Sequence, residues 1–417
     1  MSLLGLPNEL LFPVAKELAP HDLRALVLTN RRLAIVLTSV LHDSAANDKK
    51  HAVAALFWAA AIGRETMVRL ILEKGPRLVI EDTTTTHGNS HTSIFKVLHD
   101  GPAQCSDEVV KKVLEKGANL VVRDNFKRRT GLNWAIENKR KTLLKLLLEN
   151  GANTEVRIND NEQTVLHLAA EGGDEAAARL LLHKGAHLKI QKDNMQPLPW
   201  EIQNLCADVS SVDCHGYMPL HLTARAGHVK LVELLLDSDA NINAQNSVTP
   251  LYLAAQHDKE SVVALLLKRG ADPNLKNDSG MTALHLAVLY RFGSVVELLL
   301  EYGADVSIRD RHGVTVLHVA AENGDEILTK ALLKKDADIN ARNDYGITPL
   351  HLSAKYGHVS VVEILLDEGA DIAAENSDGY TALYLAARRN HSSSHRAAAE
   401  LLFKRHGAKD KSKLYGF

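Results

Sequence analysis

The pattern Thr-x-Leu-(His/Tyr) returns at Thr249, Thr282, Thr315, Thr348 and Thr381, each start 33 residues after the one before. A period of this size constrains the fold more than any other feature of the chain, because it marks one supersecondary unit used again and again. An earlier copy starts at Thr164, and Met218 stands in the threonine position of another. Weaker copies start near Ala54, Thr92 and Thr130. Late in the copies a Leu-Leu run is closed by Gly-Ala, as at Gly185-Ala186, Gly270-Ala271, Gly303-Ala304 and Gly369-Ala370. Short polar stretches such as Asn277-Asp278-Ser279-Gly280 separate the copies.

One copy shows the physics of all. Thr282 stands where a helix N-cap belongs, so its hydroxyl is expected to take an orphan N–H. Leu284, Ala287 and Val288 then line one face of a short helix. A second helix over Val295 to Tyr302 presents Val296, Leu299 and Leu300, and Gly303 meets the need for a left-handed residue at its end. Asp239 and Asp336 occupy that glycine position in two copies, and left-handed backbone angles are expected there too. Neither helix can bury its apolar face alone, so the copies must stack.

The repeated T-P-L-H-x-A and L-L-x-x-G-A-D motifs resemble the ankyrin family over roughly residues 52–410. The resemblance implies an all-α fold: an ankyrin-repeat solenoid of helix-turn-helix units with short β-hairpin loops. It also implies that the motif histidine ties neighbouring repeats together by hydrogen bonds. His167, His221, His285, His318 and His351 are therefore read as structural. One per repeat is a spacing the fold explains without a metal, so no metal and no cofactor are expected.

The pattern breaks in places. Thr83–His91 is a polar, Thr-rich insertion, and Gly101-Pro102 interrupts the copy near Thr92. A copy is due near Gln196, where Pro197-Leu198 match, yet the next starts at Met218. Leu205-Cys206-Ala207-Asp208-Val209 resembles the end of a repeat, so about one helix is missing from the middle, with Cys206 at the usual glycine position. The expected organisation is a helical module over 1–50, irregular repeats over 51–190, a truncated repeat or seam over 191–217, and regular repeats with a C-terminal cap over 218–417.

All nine tyrosines lie at or after Tyr217. In the family, variable positions at the hairpin tip and at the end of the inner helix face a concave groove. Tyr217, Tyr290, Tyr345, Tyr356 and Tyr380 fall at such positions, while Tyr252 and Tyr384 replace the motif histidine. Arg225, Gln256, His257, Glu322, Asn323, Lys355 and Arg388 occupy equivalent variable positions. Tyrosine suits binding surfaces because it buries a large area at low entropic cost. The candidate groove is thus Tyr217, Arg225, His257, Tyr290, Tyr345, Lys355, Tyr356, Tyr380 and Arg388; ordinary solvated residues are the alternative.

Residues 1–50 do not fit the repeat. Leu6-Pro7-Asn8-Glu9-Leu10-Leu11, then Val14, Leu18, Leu23, Leu26 and Thr29-Asn30-Arg31-Arg32-Leu33 place apolar residues at helical spacing, which suggests three short helices. This segment resembles the F-box, in the form common before ankyrin repeats in fungal proteins. The resemblance implies docking onto the Skp-type adaptor of a cullin–RING ubiquitin ligase through Leu6, Pro7, Leu10, Leu11, Val14, Leu18 and Leu23. Many F-boxes carry a bulky aromatic in the third helix, and Ala34-Ile35-Val36-Leu37 has none. The alternative is a helical cap over the first repeat.

Composition narrows the function classes. The chain carries 49 Lys+Arg against 51 Asp+Glu, without the basic excess that nucleic-acid binding requires. Three cysteines form no CxxC pair and fit a reducing compartment, cytoplasmic and/or nuclear. The apolar run from Ala52 to Ile62 is too short to span a bilayer, and the N-terminus does not read as a secretory signal. No GxxxxGK[ST], GxGxxG, HExxH or GxSxG motif is present. The expectation is a monomeric, non-enzymatic adaptor holding an unidentified protein target on its repeats, with a ligase-independent scaffold as the alternative.

Overall fold

The computed structural model describes residues 111, 130–158, 160–187, 207–388 and 393–405. The F-box-like segment 1–50, the early irregular copies and most of 191–217 lie outside the described residues. Sixteen helices and three isolated bridges, but no strands, occur among the described residues. The helices come in pairs: α1 Gly131–Glu137 with α2 Lys141–Glu149, and α3 Val165–Glu171 with α4 Glu175–His187. They continue as α5 Pro219–Ala226 with α6 Val229–Asp237, α7 Pro250–Gln256 with α8 Glu260–Lys268, and α9 Ala283–Leu289 with α10 Gly293–Glu301. The last pairs are α11 Val316–Asn323 with α12 Glu326–Leu333, α13 Pro349–Lys355 with α14 Val359–Asp367, and α15 Ala382–Arg388 with α16 Ser393–Arg405.

Two compact units result. One runs to Asp208 and takes in Asp213–His215; the other holds Val209–Val212 and everything from Gly216 onward. In the first, α1 packs on α3 and α2 on α4. In the second, first helices stack on first helices in the order α5, α7, α9, α11, α13, α15. Small side chains permit this close stacking: Ala254, Ala287, Ala320, Ala354 and Ala386 are all fully buried on these helices. Second helices contribute the bulk of the core through residues such as Leu235, Leu266, Leu299, Leu332 and Leu365, each fully buried. Each such leucine stabilises the stack by roughly 1.5–3 kcal/mol of apolar transfer.

Every first helix that can be traced at its start follows a residue in extended backbone, Thr or Met218, with ψ near 160–170°. Thr282 and His285 close a capping box, in which the Thr282 side chain faces the His285 N–H as expected. In return the Thr282 N–H donates to Nδ1 of His285 at 3.2 Å, and the Thr282 hydroxyl lies 2.9 Å from the same nitrogen. A backbone N–H can only donate, so Nδ1 is an acceptor and Nε2 carries the proton. That proton goes to a carbonyl of the next repeat: His221 to Val248 at 3.1 Å, His285 to Val314 at 3.4 Å, His318 to Ile347 and His351 to Tyr380 at 3.0 Å. The expected tie between repeats is therefore present at these four. Where tyrosine replaces the histidine the hydroxyl cap stands without the ring: Thr249 Oγ1 accepts the Tyr252 N–H at 3.1 Å and Thr381 Oγ1 that of Tyr384 at 3.4 Å.

Asn133 holds the histidine position in α1. Its Oδ1 reproduces the Nδ1 contacts, accepting the Thr130 N–H at 2.8 Å and the Thr130 hydroxyl at 2.6 Å. Its Nδ2 is fully buried with no partner. Asparagine is shorter than histidine, and the reach into the next repeat is lost.

Polar ladders reinforce the stack along the loops of the second unit. Lys276 Nζ donates to Arg309 O, Arg309 to Arg342 O and Arg342 to Glu375 O. Asn243, Asn274 and Asn340 accept the N–H groups of Asp272, Asp305 and Asp371 at 2.8–2.9 Å. The loop tips join through Arg311 N–H to Ser279 O, Asp344 N–H to His312 O and Ser377 N–H to Tyr345 O. Helix α16 buries Ala398, Ala399, Leu402 and Phe403 and leaves Arg396, Glu400 and Lys404 exposed.

Asp239 and Asp336 have φ of 64° and 62°, as their position implies. A second left-handed position, unforeseen from sequence, closes the first helix. It is glycine at Gly227, Gly324 and Gly357, but Asp258 and Arg291 hold it with φ of 53° and 62°. At Gly324 an added Cβ would also meet the His358 ring at 2.4 Å, because His358 reaches back to donate to Glu322 O at 2.8 Å.

Two outcomes follow from these contacts. Burial, first among the causes, lowers the imidazoles of His285, His318 and His351 below their ordinary 6.5. The unfolded chain then binds more protons, so stability rises with pH. The contribution is complete above about pH 6.5 and is lost as pH falls from there towards the depressed folded values. Thermal midpoints measured from about pH 7.5 down to 5 should fall steeply, and less steeply in His318→Asn; a flat profile would contradict the assignment. Separately, Asp336→Gly should be neutral or stabilising by up to about 1 kcal/mol in chemical denaturation, since glycine removes the left-handed strain.

Candidate functional site

The side chains singled out from the sequence fall at two places in the second unit. Tyr217, Tyr345 and Tyr380 belong to loop tips. Arg225, His257, Tyr290, Lys355, Tyr356 and Arg388 sit at the C-terminal ends of first helices. Because those helices stack side by side, their ends form a row. The row presents what each repeat carries at its seventh and eighth positions after the cap, and the helix geometry places no demand on residue type there.

The two places differ in how much they offer a partner. Tyr290 follows α9 and is 48% exposed, its ring 5.8 Å from that of Phe292, and Leu289 beside it is 40% exposed. Tyr345 is 61% exposed at its tip, where its N–H donates to Asn343 Oδ1 at 3.0 Å. Arg388 is exposed on the last turn of α15. His257 is exposed too, its Nδ1–H donating to Leu253 O at 3.0 Å.

The others are partly committed to the fold. Tyr356 is half-buried against the core cluster of Leu350, Leu352 and Val362, with its ring 6.3 Å from that of His358. Lys355 holds its ammonium 5.2 Å from the Tyr356 ring centroid, a cation–π contact. Tyr217 stacks on His221 at 5.7 Å, and Tyr380 on Tyr384 at 4.2 Å. Arg225 is half-buried on the last turn of α5. Of the other variable positions, Asn323 is used by the stack: its Nδ2 donates to Val288 O and Leu289 O at 3.1 Å, and its carbonyl accepts from Arg291. The adaptor-facing set Leu6, Pro7, Leu10, Leu11, Val14, Leu18 and Leu23 lies outside the described residues.

Sequence reasoning left Tyr252 out of the site as a structural replacement. It is buried, and its hydroxyl accepts from Asn277 Nδ2 at 2.8 Å. Burial raises its phenol, and the Asn277 bond opposes this.

Among the described residues no group of three or more His, Cys, Asp or Glu side chains could hold a metal ion, and no helix is long and apolar enough to cross a membrane. A family model for ankyrin repeats, three copies in length, matches residues 97–192, 199–277, 240–310, 269–343 and 317–413. The chain belongs to the ankyrin-repeat family, and these repeats indicate a role in protein–protein interaction. No curated protein matches the chain.

Exposure separates the row's members in a mutational test. Tyr290→Ala and Arg388→Ala should leave the thermal midpoint within about a degree of wild type, since surface changes rarely exceed about 0.5 kcal/mol. Tyr356→Ala should lower stability by about 1–3 kcal/mol, below the ~3–5 of a fully buried aromatic. Equal losses at Tyr290 and Tyr356 would mean that both are packing residues.

Proposed function

We propose that this chain is a substrate receptor of a Skp–cullin–F-box ubiquitin ligase. Its N-terminal segment docks a Skp-type adaptor, and its repeats hold a target protein on their concave face. The observation that carries the target-binding half is the row of first-helix ends. It exposes Tyr290, Leu289, His257 and Arg388 without any need of the stack for them. Interface energy concentrates in a few Tyr, Trp and Arg side chains, and a platform of stacked helices loses little entropy on binding. The adaptor half rests on the apolar pattern from Leu6 to Leu33 and its resemblance to the F-box. On this reading the chain does no chemistry: it brings a ligase and a target together. A ligase-independent scaffold would use the same row without the N-terminal contact.

Co-purification decides between them. Wild-type chain should bind purified Skp-type adaptor at micromolar concentration, and Leu10→Asp should abolish this while leaving the helical circular dichroism of the repeats intact. Absence of wild-type binding would leave the scaffold.

A further inference from the structure

Each first helix from α7 to α13 packs between two others, and α15 packs on one, α13, among the described residues. Equivalent positions show the consequence. Leu350 and Ala354 of α13 are fully buried, and their counterparts Leu383 and Ala387 of α15 are half-buried. Leu385 is half-buried too, where its counterparts Leu253, Leu286 and Leu352 are buried. Ala382 and Ala386, on the side of α15 that meets the core, stay buried. The loop tip is open in the same direction. A Cβ on Gly280, Gly313 or Gly346 would meet the following tip at 2.8–2.9 Å, and one on Gly379 would meet nothing within 4 Å.

The charge of the rim says what kind of chain belongs on this face. Lys276, Arg309 and Arg342 each donate to a carbonyl one repeat on, and the next residue in that register is Glu375, which cannot donate. With Asp371 and Asp378, also exposed, it makes the loop before α15 acidic. A further repeat would find no donor there, and a basic segment would find partners. Residues 406–417 are such a segment and lie outside the described residues. Lys409, Lys411 and Lys413 come first, and Leu414, Tyr415 and Phe417 follow them directly. Leu414 is nine residues past Arg405, the last residue of α16. At about 3.3 Å per residue that length reaches up to about 30 Å. Helix α16 packs on α15, so its axis lies about 8–10 Å away, and a helix the length of α15 spans about 10 Å. Every point of the open face is therefore within reach.

We propose that Leu414, Tyr415 and Phe417 of this chain pack on Leu383, Leu385 and Ala387, while Lys409, Lys411 and Lys413 cross the acidic rim. The segment takes the place that the following first helix holds elsewhere in the stack. It shields an apolar face that is otherwise a docking surface for other chains. This contact is independent of what the repeats bind.

Amide hydrogen exchange tests it, measured on the full chain, on a chain stopped after His406 and on the double variant Leu414→Asp with Phe417→Asp. Both changes should speed exchange over residues 382–388 at least tenfold and leave residues 283–289 as in wild type. The substituted segment keeps its length, so a loss shared by both variants belongs to its apolar side chains. A synthetic peptide of residues 406–417 is then added to the shortened chain at about the millimolar concentration that a short tether supplies. It should restore protection, and do so less well in high salt or with Lys409→Glu, Lys411→Glu and Lys413→Glu together. Unchanged exchange over 382–388 in either variant, or a peptide without effect, would overturn the inference. Exchange that quickens equally over 283–289 would mean general destabilisation and refute it too. Wild-type protection that fades on dilution would give the face to a second copy instead.

Discussion

The structure depends on a buried imidazole that recurs in five of the described repeats, at His167, His221, His285, His318 and His351. At His285 and its equivalents the ring accepts from the cap threonine on one side and donates to the following repeat on the other. It thereby starts a helix and fixes the distance to the next unit in a single contact. The geometry demands a neutral ring with the proton on Nε2, and burial supplies the reason it stays neutral. Two of the three exceptions show what the ring is for. Asn133 keeps the capping half and loses the linking half. Tyr252 keeps a link, through Asn277, and leaves the cap to the threonine hydroxyl alone.

Around this contact the array is held in layers with different physical characters. Second-helix leucines provide the non-directional stabilisation, and small first-helix residues set how close the stack can come. The ladders through Lys276, Arg309 and Arg342, and through Asn243, Asn274 and Asn340, add direction: each joins a position to its counterpart one repeat later. Because these side chains end on backbone groups, their contribution depends on loop geometry more than on partner residue type. This leaves the tips and first-helix ends free to vary in sequence, and variation there is what a binding surface requires.

The same logic separates site from scaffold. A residue such as Asn323 stands at a variable position and still serves the stack, because its amide meets the carbonyls at the end of the preceding first helix. Tyr290, one repeat earlier, has no such duty and faces outward. The difference between them is not one of residue class, since both are polar and both close a helix. It lies in whether the neighbouring repeat offers an unsatisfied carbonyl within reach.

Much of this was legible in the sequence alone. The 33-residue period, the apolar faces of the helix pairs, the structural role of the histidines and the left-handed Asp239 and Asp336 all follow from local rules, which act over one repeat and its neighbour. Tertiary structure alone decided two other matters. It selected which carbonyl of the next repeat receives the His285 ring, Val314 O, because the stacking of the repeats brings that group within reach. It made Tyr356 part of the core while leaving Tyr290 exposed, though both occupy the same register, because burial depends on what the adjoining helices present.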